Sequence, residues 1–362
     1  MDRLRIAVYA ICKDEEKFAE RWMESMSEAD GVYVCDTGSA DNTVKELQRL
    51  GANVKEIDVT PWRFDTARNI SMDFVPYDYD VLVCTDLDEY FNAGWREEIE
   101  KVWIKGETTR LKYQYTWSFN EDNSPATTFW YEKIHARHGF RWNHPVHEIL
   151  EYSGEIPDKY AVSSKISLEH HPDDKKSRSQ YLGLLELSVK ESPDDDRNMH
   201  YLGREYMYRG MWDECIDTLQ KHLSLPSATW LDERCASMRY IAKAYIAKGD
   251  YYFARKWLYR AIAEAPYLRE PYVDTAHLAY DNDEWLEAYH MIEEALKIKT
   301  KPRTYINEGY CWDYSIYDIG AISAYNIGLK RKSFEYAKKA YELNPKDERL
   351  RENVEIIERN LI

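Results

Sequence analysis

The sequence predicts an α/β half built on an open parallel sheet, followed by an all-α half of repeated helix pairs. Strands and helices alternate as far as Trp103, the pattern of a parallel sheet with helices on both faces. From about Asp173 the strand signals vanish and a spaced set of small residues recurs. The division is set at 1–172 and 173–362, and two domains suit a chain of 362 residues at about 150 residues each.

The first element, Arg5 to Cys12, is nearly continuous apolar sequence, as expected of a parallel strand covered on both sides. Asp14 caps an acidic first turn, and Phe18, Trp22 and Met26 then recur every fourth residue along a helix. Val32 to Cys35 is a second strand, which breaks at Asp36-Thr37-Gly38-Ser39. The next helix carries Val44, Leu47 and Leu50, and Gly51 stops it. Val54 to Val59 is a third strand, Asp65 to Phe74 a third helix, and Val81 to Cys84 a fourth strand running into Asp86-Leu87-Asp88-Glu89. Beyond Trp103, Leu111, Tyr113, Tyr115 and Trp117 alternate with Arg110, Lys112 and Gln114, the period of two of a half-buried strand. A second such strand lies near Phe129 to Ala136, and the two are expected to pair antiparallel.

In the second half, Leu202-Gly203-x-x-Tyr206 with Gly210, Cys215 and Pro226 returns 39 residues on as Ile241-Ala242-x-x-Tyr245 with Gly249, Ala254 and Pro266. Ala276, Ala279, Ala288, Ile292 and Ala295 form a looser third copy, and Gly320, Ala321, Ala324, Gly328, Ala337, Ala340 and Pro345 a fourth. Small residues at helix crossings, a loop glycine and a closing proline resemble the tetratricopeptide repeat, whose period is about 34; the longer offset implies insertions. Asp347 to Ile362 reads as a polar capping helix. Stacked helix pairs of this kind form a groove suited to a peptide or protein partner.

Composition narrows the function. With 49 basic and 65 acidic residues the formal charge is −16, which argues against general binding to nucleic acid, where cationic phosphate contacts carry the affinity. No apolar run approaches the ~20 residues of a membrane span. The six cysteines contain no C-x-x-C pair, and free thiols without an export signal point to a cytoplasmic protein.

Ligands of an open α/β sheet sit beyond the carboxyl ends of its strands. Carboxylates mark three such ends, at Asp14-Glu15, Asp36 and Asp86-x-Asp88, whereas no G-x-G-x-x-G follows the first strand and no P-loop occurs. A nucleotide diphosphate bound here would need a metal held by those carboxylates. The string Ile11-Cys12-Lys13-Asp14-Glu15-Glu16, then Asp36-Thr37-Gly38-Ser39-x-Asp41-x-Thr43, Ala67-Arg68-Asn69 and Asp86-Leu87-Asp88-Glu89, resembles family-2 glycosyltransferases of the GT-A fold, a nucleotide-diphospho-sugar transferase architecture. The resemblance spans roughly the first half, and a tetratricopeptide-like second half accompanies it in bacterial members.

That resemblance implies a hexosyltransferase-type, inverting enzyme using a nucleotide sugar, with a UDP-sugar favoured. Asp36 would meet the base, Arg68 the ribose or a phosphate, Asp86 the ribose or a metal-bound water, and Asp88 a Mn²⁺ or Mg²⁺ ion. A downstream histidine (His147, His170 or His171) would complete the metal site, with His147 and His171 carried forward as ligands beside Asp88. Such an enzyme needs a carboxylate base; the family's Glu-Asp pair is missing, and Glu148 in Trp142-Asn143-His144-Pro145-Val146-His147-Glu148 stands in for it. Asp88 and Glu148 are thus the expected catalytic residues. The acceptor would be a peptide, protein or glycan near Trp117, Trp130, Tyr131 and Trp142.

Structural readings compete with these. Asp36 and Asp88 also suit helix caps or turns, and Glu148 a surface or ion-paired glutamate. His144-x-x-His147-Glu148 is not H-E-x-x-H, and Pro145 opposes a helix presenting both histidines, which disfavours a zinc hydrolase. A nucleotidyltransferase lacks a glycine-rich basic loop after the first strand. The alternative from another class is a catalytically inactive nucleotide-sugar-binding scaffold that binds peptides through its repeats.

Overall fold

The computed structural model describes residues 3–120, 122–172, 180–302 and 304–361. The expected start of the helical half at Asp173 and the last residue of the expected capping helix, Ile362, lie outside them. The chain divides into two compact units, Met1–Ser188 and Val189–Ile362.

The first unit opens with β1 (Ile6–Cys12), α1 (Glu16–Ser25), β2 (Gly31–Asp36), α2 (Thr43–Arg49), β3 (Asn53–Glu56), α3 (Phe64–Phe74) and β4 (Val81–Cys84). It continues through β5 (Glu89–Phe91), α4 (Trp95–Val102), β6 (Arg110–Phe119), β7 (Pro125–Ala136), β8 (Phe140–Asn143), β9 (Ile149–Tyr152) and β10 (Tyr160–His170). Eight strands form one mixed sheet in the order β3-β2-β1-β4-β7-β6-β10-β5, and β8 and β9 make a separate hairpin. The β3, β2, β1 and β4 pairs are parallel, and β7 joins β4 antiparallel, Leu82 opposite His135.

The apolar run of β1 has a direct reason. Ile6, Val8, Ala10 and Cys12 pack with Trp22 of α1, Leu47 of α2 and Trp95 of α4 in one core. Ala7 and Tyr9, on the alternate face, pack with Met72 of α3, Leu82 and the hairpin residues Phe140, Trp142 and Leu150 in another. A strand covered on both faces buries every second residue into each layer, at about 1.5–3 kcal/mol per large apolar side chain. Beyond α2, Gly51 takes φ +97°, a left-handed position open to glycine without strain. The expected strand Val54–Val59 is shorter, ending at Glu56. The hairpin β8–β9 and strands β5 and β10 carry no sequence expectation.

The helix α5 (Tyr181–Glu191) spans the division between units. The second unit then consists of α6 (Asp196–Tyr208), α7 (Trp212–Ser224), α8 (Leu231–Ala247), α9 (Tyr251–Glu264), α10 (Glu270–Asp281), α11 (Trp285–Lys297), α12 (Ser315–Asn326), α13 (Lys330–Leu343) and α14 (Glu348–Arg359). These pack as four consecutive pairs, α6 with α7, α8 with α9, α10 with α11 and α12 with α13, closed by α14 on α13. The first helices of successive pairs also touch one another. This is a tetratricopeptide-like helical repeat.

Local chemistry explains the repeat. Each pair turns on a residue at positive φ placed two beyond the first helix: Gly210 (+70°), Gly249 (+76°), Asp283 (+58°) and Gly328 (+82°). Asp195, Asp250 and Asp347 cap α6, α9 and α14, accepting from the backbone N–H of Asn198, Phe253 and Arg349. The helices cross where side chains are small. A Cβ on Gly203 would run into Leu219 of α7, and one on Gly320 would lie 2.9 Å from Tyr336 Cδ2 of α13.

Candidate functional site

Two polar constellations stand out, one in each unit. The first lies at the carboxyl end of β4. Arg68, on α3 and 5% exposed, donates from Nε to Glu148 and from Nη2 to Asp86 Oδ1 at 2.8 Å. Lys133 of β7, also buried, places Nζ 3.7 Å from Asp86 Oδ2. Glu89 is buried too; it accepts from the Asp86 N–H at 2.8 Å and from the Tyr115 hydroxyl at 2.7 Å. His170 Nε2 lies 3.5 Å from Asp88 Oδ2, with its ring stacked on Trp117 at 4.3 Å.

The electrostatics follow from these contacts. Burial alone would raise the Asp86 carboxyl, but Arg68 and Lys133 overcome it and hold the group well below the usual carboxylate range. Burial opposes charge on Arg68 and Lys133, and their acidic neighbours keep both firmly protonated. Burial, then Asp86 and Asp88, push Glu89 up against the pull of Lys133. Burial lowers His170, and its hydrogen bond to Asp88 more than restores it, leaving the imidazole above its ordinary value.

The other motif residues face their own loops. Asp36 is 1% exposed, and its carboxylate accepts from the N–H groups of Gly38 and Ser39, each at 2.9 Å, and from the Ser39 hydroxyl. The strings after β1 and β2 bind each other. Asp14 Oδ1 accepts from Ala40 N–H at 2.7 Å, Thr43 Oγ1 from Glu15 N–H at 2.7 Å, and Asp41 Oδ2 from Glu16 N–H at 3.2 Å. Asn69, beside Arg68, makes two hydrogen bonds to the Trp142 backbone of β8. The spacing that ties these motifs together is therefore the spacing of two loops stapled at the start of α1 and α2 and a helix fastened to a hairpin.

The expected metal set does not assemble. His170, not His171, faces the Asp88 carboxylate, while His171 donates its backbone N–H to the Asp88 carbonyl at 2.8 Å and sets its ring near Glu169. His147 sits in the β8–β9 turn with its ring 6.0 Å from that of Tyr181. Among the described residues no His/Cys/Asp/Glu trio able to close on an ion includes Asp88, His147 or His171. Asp86 and Glu148 meet Arg68, Asp86 also faces Lys133, and Asp88 faces His170. Glu148 is an ion-paired glutamate engaged by Arg68.

The second constellation lies on the helical unit. Between the third pair and the fourth, residues 298–302 and 304–314 join α11 to α12, and their aromatic side chains lie across the first helices of the preceding pairs. Tyr305 donates its hydroxyl to Glu233 of α8 at 2.5 Å and stacks on Tyr201 of α6. Ile306 enters the core shared by α7, α8 and α9. Tyr310 donates to Asp274 of α10 at 2.5 Å and accepts from Arg239 of α8 at 3.1 Å. Trp312 donates from Nε1 to Glu270 at 3.1 Å, and the Arg269 guanidinium covers its ring at 3.9 Å. Burial, then Asp274, raise the Tyr310 hydroxyl well above its ordinary value, so it stays a neutral donor.

Comparisons with known proteins bear on the helical unit. No family model matches the chain. Among solved structures it is similar to MamA (20% identical, 46% of this chain and 87% of that one, TM-score 0.37). It is also similar to a thermophilic TPR protein of Thermus thermophilus (18%, 49% and 88%, TM-score 0.35). A third is pilF of Pseudomonas aeruginosa (10%, 47% and 70%, TM-score 0.38). No glycosyltransferase stands among these structures, and each match ends at about half of this chain. Contrary to the expectation of a family-2 glycosyltransferase and of an enzyme, the structures matched are not glycosyltransferases. The motif residues have a physical use within the first unit: Asp36 closes its own turn, Asp86 and Glu148 share Arg68, and Asp88 meets His170. For the first unit a mixed eight-stranded sheet is what stands, and the matched structures do not carry the finer GT-A assignment. No helix among the described residues is long and apolar enough to cross a membrane.

Lys133 is a residue of the first constellation that sequence reasoning did not single out. Lys133 had a signal, a lone cation among aromatics in a predicted strand; its partner, 47 residues earlier, had no local link to it.

Proposed function

We propose that the protein is an interaction scaffold whose helical unit holds a turn-forming, aromatic-bearing peptide segment on the face formed by α8 and α10. The observation that carries this is the internal segment itself. Tyr305, Tyr310 and Trp312 each deliver one polar hydrogen to a carboxylate of that face, Glu233, Asp274 and Glu270 in turn. Aromatic bodies with a single donor at the tip are the anchors that peptide-binding sites use. A partner presenting the same chemistry competes with the chain's own segment, whose tether gives it an effective concentration of about millimolar.

The test supplies the segment in trans. A fluorescent peptide spanning residues 298–314 is titrated with the wild-type chain and with the variant Tyr305→Ala/Tyr310→Ala/Trp312→Ala. The variant is expected to bind the peptide saturably, at least about tenfold more tightly than wild type, whose face is filled. The milder pair Tyr305→Phe/Tyr310→Phe removes only the hydroxyls and is expected to bind at intermediate strength. No binding by either variant while both melt cooperatively would overturn the reading.

A further inference from the structure

Between α6, α7 and α8 lies a polar cluster that shares only Glu233 with the peptide-binding face. His200, His222 and Ser237 are fully buried, and Glu233 is 3% exposed. The Ser237 hydroxyl sits between the two imidazoles, 2.8 Å from His200 Nδ1 and 2.9 Å from His222 Nδ1. In the tautomer whose Nδ1–H donates to this hydroxyl oxygen, Nε2 is the nitrogen that can ligate a metal, the second-shell arrangement typical of histidine ligands.

His222 Nε2 points at Glu233, 3.5 Å from Oε1, and among the described residues it has no hydrogen-bond partner. A buried imidazole nitrogen left without a partner calls for an explanation. One ligand atom from each of His200, His222 and Glu233 lies within 4.8 Å of the other two. Bonds of about 2.0–2.1 Å from a tetrahedral zinc separate ligand atoms by roughly 3.3 Å, close to the spacing of His222 and Glu233. The second Glu233 oxygen accepts from Tyr305, which orients the carboxylate. We propose that His200, His222 and Glu233 bind one Zn²⁺ ion, with a water molecule as its fourth ligand. Two imidazoles and a carboxylate suit zinc among divalent ions, and no cysteine is required. Because every ligand is buried, the ion enters as the helices close, so it is a structural ion coupled to folding.

The experiment uses the full chain, unfolded with EDTA and refolded either without metal or with a small excess of Zn²⁺, then desalted. Zinc by mass spectrometry is expected at about one equivalent per chain, with a thermal midpoint several degrees above the metal-free form. His222→Gln is expected to lose the retained zinc and the shift together. Refolding wild type with Co²⁺ tests the site without a variant: visible bands of four-coordinate nitrogen and oxygen ligation are expected. Less than about 0.1 equivalent of zinc in wild type, or an unchanged midpoint, overturns the proposal. So does full zinc retention by folded His222→Gln, or a cobalt spectrum dominated by thiolate charge transfer, which would place the ion on cysteine. Glu233 is shared with the peptide-binding face, and zinc content distinguishes the two proposals because the α8–α10 face can bind or fail to bind peptide with the ion retained.

Discussion

Arg68 serves two carboxylates from a buried position, and neither Asp86 nor Glu148 has an equal substitute for it. Removing one partner of a buried ion cluster strands the others, at about 3–5 kcal/mol. Arg68→Leu is therefore expected to lose about that much stability in denaturant titration, and Arg68→Lys to recover little, since one ammonium cannot reproduce a forked guanidinium. His170 carries a pH dependence of definite sign. Its pKa is raised in the folded protein, so the His170–Asp88 contribution is complete below the unfolded value near 6.5 and fades as pH rises through the folded value. The gap in thermal midpoint between wild type and Asp88→Asn is expected to shrink across that window, and a gap that widens with pH would refute the pairing. The Asp-x-Asp pair was plain in the sequence. What neutralises it was not, because Lys133 and His170 reach it only through strand order β4-β7-β6-β10.

At the scale of elements, the repeat rests on backbone positions as much as on burial. Gly249 takes φ +76° with open space around a would-be Cβ, so Gly249→Ala carries a purely conformational cost of about 1–2 kcal/mol. Gly203 has ordinary helical geometry, but its neighbour Leu219 fills the space a methyl would need. Gly203→Ala is expected to cost about 1–3 kcal/mol net of its better helix propensity, read as a lowered unfolding midpoint at unchanged slope. These glycines made two repeats legible. The third copy was looser because Asp283 occupies the left-handed position that glycine holds elsewhere. The parallel strands β1, β2 and β4 were equally legible, since burial on two faces writes an unbroken apolar run. Strand β10 was not, because Ser163, Ser164, Lys165 and Ser167 interrupt its apolar pattern.

At the scale of the molecule, the two units use charge differently. The first pairs Asp86 and Glu148 with Arg68, Asp86 also with Lys133, and Asp88 with His170. The second sets Glu233, Glu270 and Asp274 opposite a segment of its own chain, and that segment lies in an insertion with no repeat pattern to announce it. Amide hydrogen exchange of the full chain tests the central claim, that this face holds an aromatic peptide, most directly. The N–H groups of Glu308, Cys311 and Trp312 donate to Glu270 Oε1 at 3.4 Å, Glu308 O at 3.2 Å and Gly309 O at 2.8 Å. They are expected to exchange at least about tenfold more slowly than in the free 298–314 peptide, and exchange at the free-peptide rate would contradict the account.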